Sequence, residues 1–85
     1  MKVLVESVDK EGLEALLGKR ITLFCSAYIY TGKLIGVNDT CVKLTDCGIV
    51  YETGEFSTPT WKDYQKLPKD FYVRTQSIES FGELK

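Results

Sequence analysis

Arg74 is the side chain in this sequence best suited to hold a ligand. Its guanidinium group is planar and permanently charged, so it can stack on a nucleic-acid base and donate hydrogen bonds to phosphate or carbonyl oxygens. The competing interpretation is an ordinary surface ion pair with Glu52, Glu79 or Asp46. Arg74 is therefore a candidate for binding single-stranded nucleic acid, with a salt bridge as the alternative.

The adjacent pair Asn38 and Asp39 offers an amide and a carboxylate to the edge of a base. The same pair is common in tight turns, because both side chains hydrogen-bond to nearby backbone groups. Aromatic residues elsewhere offer faces for base stacking, but packing in a small core or at a subunit contact is the favoured interpretation for them. This aromatic group comprises Tyr28, Trp61, Tyr64 and Tyr72.

The residue types on which most enzymes depend are absent or isolated. The chain has no histidine, which removes the commonest general base and the commonest metal ligand. Its three cysteines, Cys25, Cys41 and Cys47, form no C-x-x-C pair and lie in strand-like runs, where a thiol packs as a small apolar group. We expect no enzymatic activity, no metal and no cofactor.

The composition is that of a small globular protein with one domain over residues 1–85. The net charge is −1, so no long-range field attracts a polyanion and any nucleic-acid contact would be local. An odd cysteine count does not fit a disulfide framework, and no apolar run approaches the length of a membrane span. We therefore expect reduced thiols, a cytoplasmic location and no membrane contact.

The hydrophobic pattern predicts a short helix followed by five strands. Asp9 is a candidate N-cap for a helix over residues 9–17, which ends at Gly18. A stretch from 53 to 70 holds two prolines and is predicted to be a long connection between the third and fourth strands, with room for a turn or two of helix at 59–66. The predicted strands are 21–25, 28–37, 40–51, 71–75 and 77–81.

Two glycines and one polar interruption predict bends in these strands. Gly32 and Gly36 lie four residues apart in the second strand, and a bulge is expected in the third strand near Asp46 to Gly48. Five strands in so short a chain must curl to cover their own apolar face. We therefore predict a mostly β fold, a small, strongly bent antiparallel barrel.

Two stretches of the sequence have the residue pattern of known motifs. Tyr-Thr-Gly-Lys-Leu at 30–34, preceded by Gly18 and followed by Asn38, resembles the Y-x-G-x-L run of the first motif of the Sm/LSm/Hfq superfamily. Phe-Tyr-Val-Arg-Thr at 71–75, followed by an isoleucine, resembles the strand of the second motif, which ends in Arg-Gly. The resemblance rests on the order and separation of the two motifs, which span about 17–53 and 71–83, and residues 30–53 are also similar to bacterial or viral Sm-like proteins.

The resemblance implies an RNA site formed by two loops. In this superfamily, the loop after the second strand and the arginine of the second motif hold an RNA base at the pore of a ring. Asn38 stands where the family has aspartate, Cys41 or Thr40 where it has asparagine, and Thr75 where it has glycine. The implied RNA contacts in this chain are Asn38, Asp39, Cys41, Arg74 and Thr75.

The resemblance also implies a ring of identical subunits, about five to seven in number. A small barrel leaves backbone groups unpaired along its last two strands, and in the superfamily these edges pair between neighbouring subunits. Burial of apolar side chains across such a seam would add stability to a small domain. The implied interface residues are Phe71, Tyr72, Val73, Ile78 and Phe81.

Two functions remain open at this stage. The first is a ring that binds single-stranded RNA weakly at each subunit and gains avidity by repetition. The second is a protein-interaction or structural ring that binds no nucleic acid. Arg74 and the paired motifs make RNA binding the preferred hypothesis, whereas the acidic pI of about 5.4, the missing asparagine and the aromatic residues within 53–70 favour the second function.

Overall fold

The computed structural model describes residues 12–85, which form a mostly β structure. Six strands build one antiparallel sheet, and two three-residue 3-10 turns lie at Glu14–Leu16 and Thr75–Ser77. No helix within residues 12–85 is long and apolar enough to cross a membrane. The strands are β1 (Arg20–Cys25), β2 (Ile29–Val37), β3 (Cys41–Glu52), β4 (Asp63–Lys66), β5 (Phe71–Arg74) and β6 (Ile78–Gly82).

The 12-residue strand β3 organises the sheet, because it is long enough to pair with three other strands. The strand order is β4-β3-β2-β1-β6, and β5 also pairs with β3. β3 pairs with β2 along one edge, whereas its first half pairs with β5 and its second half with β4 along the other. Between β4 and β5, the N–H of Leu67 donates to the carbonyl of Cys47 at 2.8 Å. Both short strands are therefore held against the same edge of β3.

Two glycines of β2 and β3 lie where neighbouring strands approach closely. A Cβ atom at Gly32 would lie 2.5 Å from the Cβ of Cys47, and one at Gly48 would lie 2.5 Å from the carbonyl oxygen of Gln65. The pairing register between β2 and β3 shifts beside Gly32, and Asp46 has a positive φ of 45° there. The bulge predicted in the third strand near Asp46 is confirmed.

The apolar core is made of side chains from β1, β2, β3 and β5. Leu13 and Leu16, which precede β1, pack against it and remain partly exposed. A buried polar group is satisfied within it, because the Thr31 hydroxyl donates to the carbonyl of Ile21 at 3.0 Å. The fully packed members are Ile21, Leu23, Leu34, Val42, Leu44, Cys47 and Val73.

The predicted count of five strands is wrong, because the predicted connection contains β4. The turn of helix considered for 59–66 is also wrong, since residues 63–66 are extended and paired with β3. β4 is short, polar and largely exposed, so its structure comes from backbone pairing at a sheet edge and leaves no apolar period in the sequence. Only residues 53–62 connect β3 to β4.

The predicted barrel closure and N-terminal helix are also absent from residues 12–85. The sheet is open, because β6 pairs with β1 and not with β5. Of the predicted helix over 9–17, residues 9–11 lie outside the described residues, and the rest holds a single 3-10 turn. Gly12 has a φ of 83°, which is incompatible with a right-handed helix through that residue.

Candidate nucleic-acid interface

The turn between β2 and β3 is built by the side chain of Asn38. Its amide oxygen Oδ1 accepts hydrogen bonds from the N–H of Thr40 at 2.8 Å, the hydroxyl of Thr40 at 3.1 Å and the N–H of Cys41 at 2.9 Å. The Asn38 N–H in turn donates to the Cys41 carbonyl at 3.0 Å. An amide oxygen with three donors is saturated, so the turn interpretation of Asn38 holds and only its NH₂ group is left for a ligand.

The connection between β5 and β6 is fastened to this turn through Thr75. The Thr75 N–H donates to the carbonyl of Thr40 at 2.9 Å, and its hydroxyl donates to the carbonyl of Asp39 at 3.1 Å. Cys41 lies opposite Arg74 in the pairing of β3 with β5. The structure therefore brings together, at one end of the sheet, the residues that the sequence singled out, which are Asn38, Asp39, Cys41, Arg74 and Thr75.

Arg74 presents an exposed guanidinium group at this end of the sheet. Its Nη2 donates to Oε1 of Gln76 at 3.3 Å. Within residues 12–85, none of the ion pairs involves Arg74, and Asp46 is instead paired with Arg20 at 2.7 Å and Lys66 at 2.9 Å. A weak contact with a neutral amide leaves most donors of the guanidinium available to a base or a phosphate.

Tyr72 lies between two grooves that flank this end. One groove, of about 240 Å³, is lined by Asn38, Cys41, Lys43 and Tyr72 among others. Lys43 Nζ lies 5.4 Å from the centre of the Tyr72 ring and 4.0 Å from a carboxylate oxygen of Asp70. Tyr72 is 60% exposed, so its ring can accept a stacked base.

The second groove is rich in tyrosine. It has a volume of about 220 Å³, and Tyr28, Tyr30, Tyr72, Arg74 and Ser77 are among its lining residues. The rings of Tyr28 and Tyr30 meet edge to face with centres 6.3 Å apart. A planar ligand held by Arg74 would therefore find aromatic surface on the side of this groove as well.

The cysteine in the tyrosine-rich groove is a poor nucleophile. Burial, and then the Glu79 carboxylate, raises the pKa of the Cys25 thiol above its ordinary value. Burial, and then the neighbouring Cys25 and Tyr28, raises the pKa of the Tyr30 hydroxyl. Both groups are protonated at neutral pH, so the groove offers hydrogen-bond donors and aromatic faces instead of a thiolate.

The implied interface residues divide into two sets. Tyr72, Phe81 and Phe71 are exposed by 60%, 41% and 38%. Phe71 stacks on Tyr30 with ring centres 5.9 Å apart, and Ile78 packs partly against the core. Val73 is only 4% exposed, and its side chain packs in the apolar core.

The sequence reasoning missed Lys43 and Gln76 as parts of this end of the sheet. Lys43 could have been found, because its strand alternates with buried Val42 and Leu44 and its side chain must point outward. The contact of Gln76 with Arg74 depends on the 3-10 turn at Thr75–Ser77, which has no clear sequence signal.

Within residues 12–85, no group of three or more cysteine or carboxylate side chains is placed to hold a metal ion. The acidic residues of the site belong to separate contacts, since Asp70 accepts a hydrogen bond from the Thr45 hydroxyl at 2.7 Å. The groups at this end of the sheet that are able to contact a ligand are the Arg74 guanidinium, the NH₂ group of Asn38 and the aromatic rings.

The sequence matches no protein-family model and no curated protein.

Proposed function

We propose that this protein is a self-assembling Sm-like binding module that forms a ring and binds single-stranded RNA at the Asn38–Arg74 end of its sheet. The main observation behind the proposal is that Thr75, in the β5–β6 connection, donates two hydrogen bonds to the backbone of the β2–β3 turn. This contact holds an exposed guanidinium, an amide and the Tyr72 ring at one place. Arginine and aromatic rings are the groups that recognise unstacked bases.

The open sheet supports the self-assembly part of the proposal. In the part of the chain that the structure describes, β6 has a partner only in β1, whereas β4 and β5 have partners only in β3. The free edges therefore present backbone donors and acceptors for another strand. Phe81 on β6 and Tyr72 on β5 add exposed apolar surface near those edges. Pairing of β6 with β4 or β5 of the next subunit would be head to tail, the type of contact that closes into a ring when the rotation between subunits allows.

A protein-interaction ring without RNA is the second candidate function, and the charge balance around the site favours it. Lys43 is matched by Asp70 at 4.0 Å, and the carboxylate of Asp39 is exposed beside the turn. Arg74 is thus accompanied by little net positive charge. Because phosphate neutralisation supplies much of RNA affinity, weak binding that depends on Arg74 is expected if RNA is the ligand.

Self-assembly is tested by light scattering of the purified protein at micromolar concentration. Phe81→Lys, which places a charge on β6, should reduce the molar mass to that of a monomer. Ile35→Lys is the matched control, because Ile35 is 42% exposed on an interior strand and Phe81 is 41% exposed on an edge strand. A monomeric wild type, or dissociation by both substitutions alike, would contradict edge pairing.

RNA binding is tested by titrating short U-rich and A-rich RNAs into the wild type at two salt concentrations. Arg74→Ala should weaken binding by about tenfold or more, since stacking on an aromatic or guanidinium plane contributes about 1–3 kcal/mol per base. Lys33→Ala is the control, because it removes one exposed positive charge in the middle of β2. No saturable binding by the wild type at low salt would leave the protein-interaction ring as the function.

A further inference from the structure

The loop between β3 and β4 surrounds the ammonium group of Lys85. Lys85 Nζ donates to the carbonyl oxygens of Thr53, Glu55 and Thr60, each at 2.8 Å, and lies 3.4 Å from the hydroxyl of Thr58. Three converging carbonyls match the three donors of a primary ammonium. Residues 53–61 are called the ammonium cage below.

Aromatic rings complete the cage. Lys85 Nζ lies 4.6 Å from the centre of the Trp61 ring and 6.0 Å from that of Phe56. A cation within about 6 Å of a ring centre is attracted by the electrons of the ring face. Carbonyls on one side and aromatic faces on the other recognise both the charge of the ligand and its three N–H donors, which a guanidinium or a quaternary ammonium cannot present in this arrangement.

The cage is held together by bonds that do not involve Lys85. The hydroxyl of Thr58 donates to the carbonyl of Glu55 at 2.8 Å, and the Thr58 N–H donates to the same carbonyl at 3.2 Å. Gly54 has a φ of 68°, a conformation that glycine adopts without strain. At the base of the loop, Lys62 pairs with Glu52 at 3.5 Å. These contacts fix part of the loop independently of Lys85.

A cleft of about 440 Å³ opens beside the cage. Trp61 and Lys85 line it together with Arg20, Asp46 and Tyr64. The Asp46 carboxylate is paired with Arg20 and Lys66, which leaves one positive charge in excess. When a lysine of another polypeptide enters the cage, the cleft has room for the backbone on either side of that lysine. The polar side chains of Arg20, Asp46 and Tyr64 are available to contact that backbone.

We propose that the ammonium cage is a binding site for a lysine side chain of a partner polypeptide, and that Lys85 occupies it within the same chain as a competing ligand. A tethered group acts at an effective concentration of about millimolar, so it excludes weak outside ligands until it is withdrawn. Acetylation of Lys85, which removes the charge, would open the cage. This proposal depends on neither the ring nor RNA binding.

The test uses the fluorescence of Trp61, which is the single tryptophan of the chain. Lys85→Met empties the cage, and the variant is titrated with n-butylammonium, with a blocked Gly-Lys-Gly peptide and with tetramethylammonium. Saturable changes are expected with the first two ligands in about the millimolar range, with the peptide binding at least as tightly, and none with tetramethylammonium. The wild type should respond to none at the same concentrations.

Lys69→Met is the control, because Lys69 is an exposed lysine outside residues 53–61 and its removal leaves Lys85 in the cage. Lys85→Gln is a second variant that removes the charge and keeps a polar side chain. Failure of both Lys85 variants to fold would overturn the proposal, since it requires a loop that forms without the lysine. A folded Lys85→Met that gives no saturable response, an equal response to tetramethylammonium, or binding of butylammonium but not of the peptide would also overturn it.

Discussion

Gly32→Ala should destabilise this protein, although alanine is usually more stable than glycine in the interior of a strand. Its added methyl carbon would lie 2.5 Å from the Cβ and 2.9 Å from the Cα of Cys47, and 3.2 Å from the carbonyl oxygen of Thr45. These neighbours belong to the backbone of β3 or sit directly on it. Relief of the overlap therefore requires β2 and β3 to separate beside Gly32.

The size of the effect follows from two opposing contributions. Replacing glycine by alanine in a strand gains about 0.5–1 kcal/mol from the unfolded chain, whereas forcing an extra methyl into a packed site costs about 1–3 kcal/mol or more. We expect a net loss of about 1–2 kcal/mol for Gly32→Ala. In a domain with a total stability of about 5 kcal/mol, this lowers Tm by about 5–15 °C.

Gly36→Ala is the control in the same strand. Its Cβ would meet only the Cβ of Lys43, at 3.4 Å, which is an ordinary contact, so this variant should be unchanged or slightly more stable. Urea denaturation of the two variants and the wild type gives the comparison directly. Equal stabilities of Gly32→Ala and Gly36→Ala would refute the close approach of β2 and β3 at Cys47.

Three further predictions concern single side chains. Asn38→Ala should lower the unfolding free energy by about 1 kcal/mol, because three donors of the β2–β3 turn lose their acceptor; a loss below about 0.3 kcal/mol in urea denaturation would contradict this role. Lys66 and Arg20 hold the pKa of Asp46 below its ordinary value of 3.8. The ionised carboxylate therefore stabilises the fold above that pH, and this stabilisation is lost as the pH falls through the lowered pKa of the folded state. The stability difference between wild type and Asp46→Asn should therefore shrink in acid, and a pH-independent difference would argue against the ion pairs. Cys47 is only 1% exposed, and this burial raises the pKa of its thiol. A thiol reagent should therefore label Cys41 in the native protein before Cys47. The reverse order of labelling would be inconsistent with the burial of Cys47.

The sequence predicted the features that depend on local chemistry. The bulge in β3 was recognisable because polar residues and a glycine interrupt an apolar strand around Asp46. The turn at Asn38 was recognisable because a short amide side chain can bond to backbone groups two and three residues later. The proximity of Arg74 and Thr75 to this turn rests instead on hydrogen bonds from Thr75 to the carbonyls of Thr40 and Asp39, which no local pattern predicts.

Other features were decided by contacts between distant segments, which no local pattern encodes. β4 forms because residues 63–66 meet the free edge of β3, although their exposed polar side chains show no strand period. The partner of β6 is β1, more than fifty residues earlier in the chain, and this choice keeps the sheet open. Nothing in the sequence distinguishes Lys85 from the other lysines. Only the folded loop of residues 53–61 surrounds its ammonium group with three carbonyl oxygens and an aromatic face. Side-chain periodicity reports burial along one segment, whereas strand pairing and a cage of backbone oxygens depend on where the rest of the chain lies.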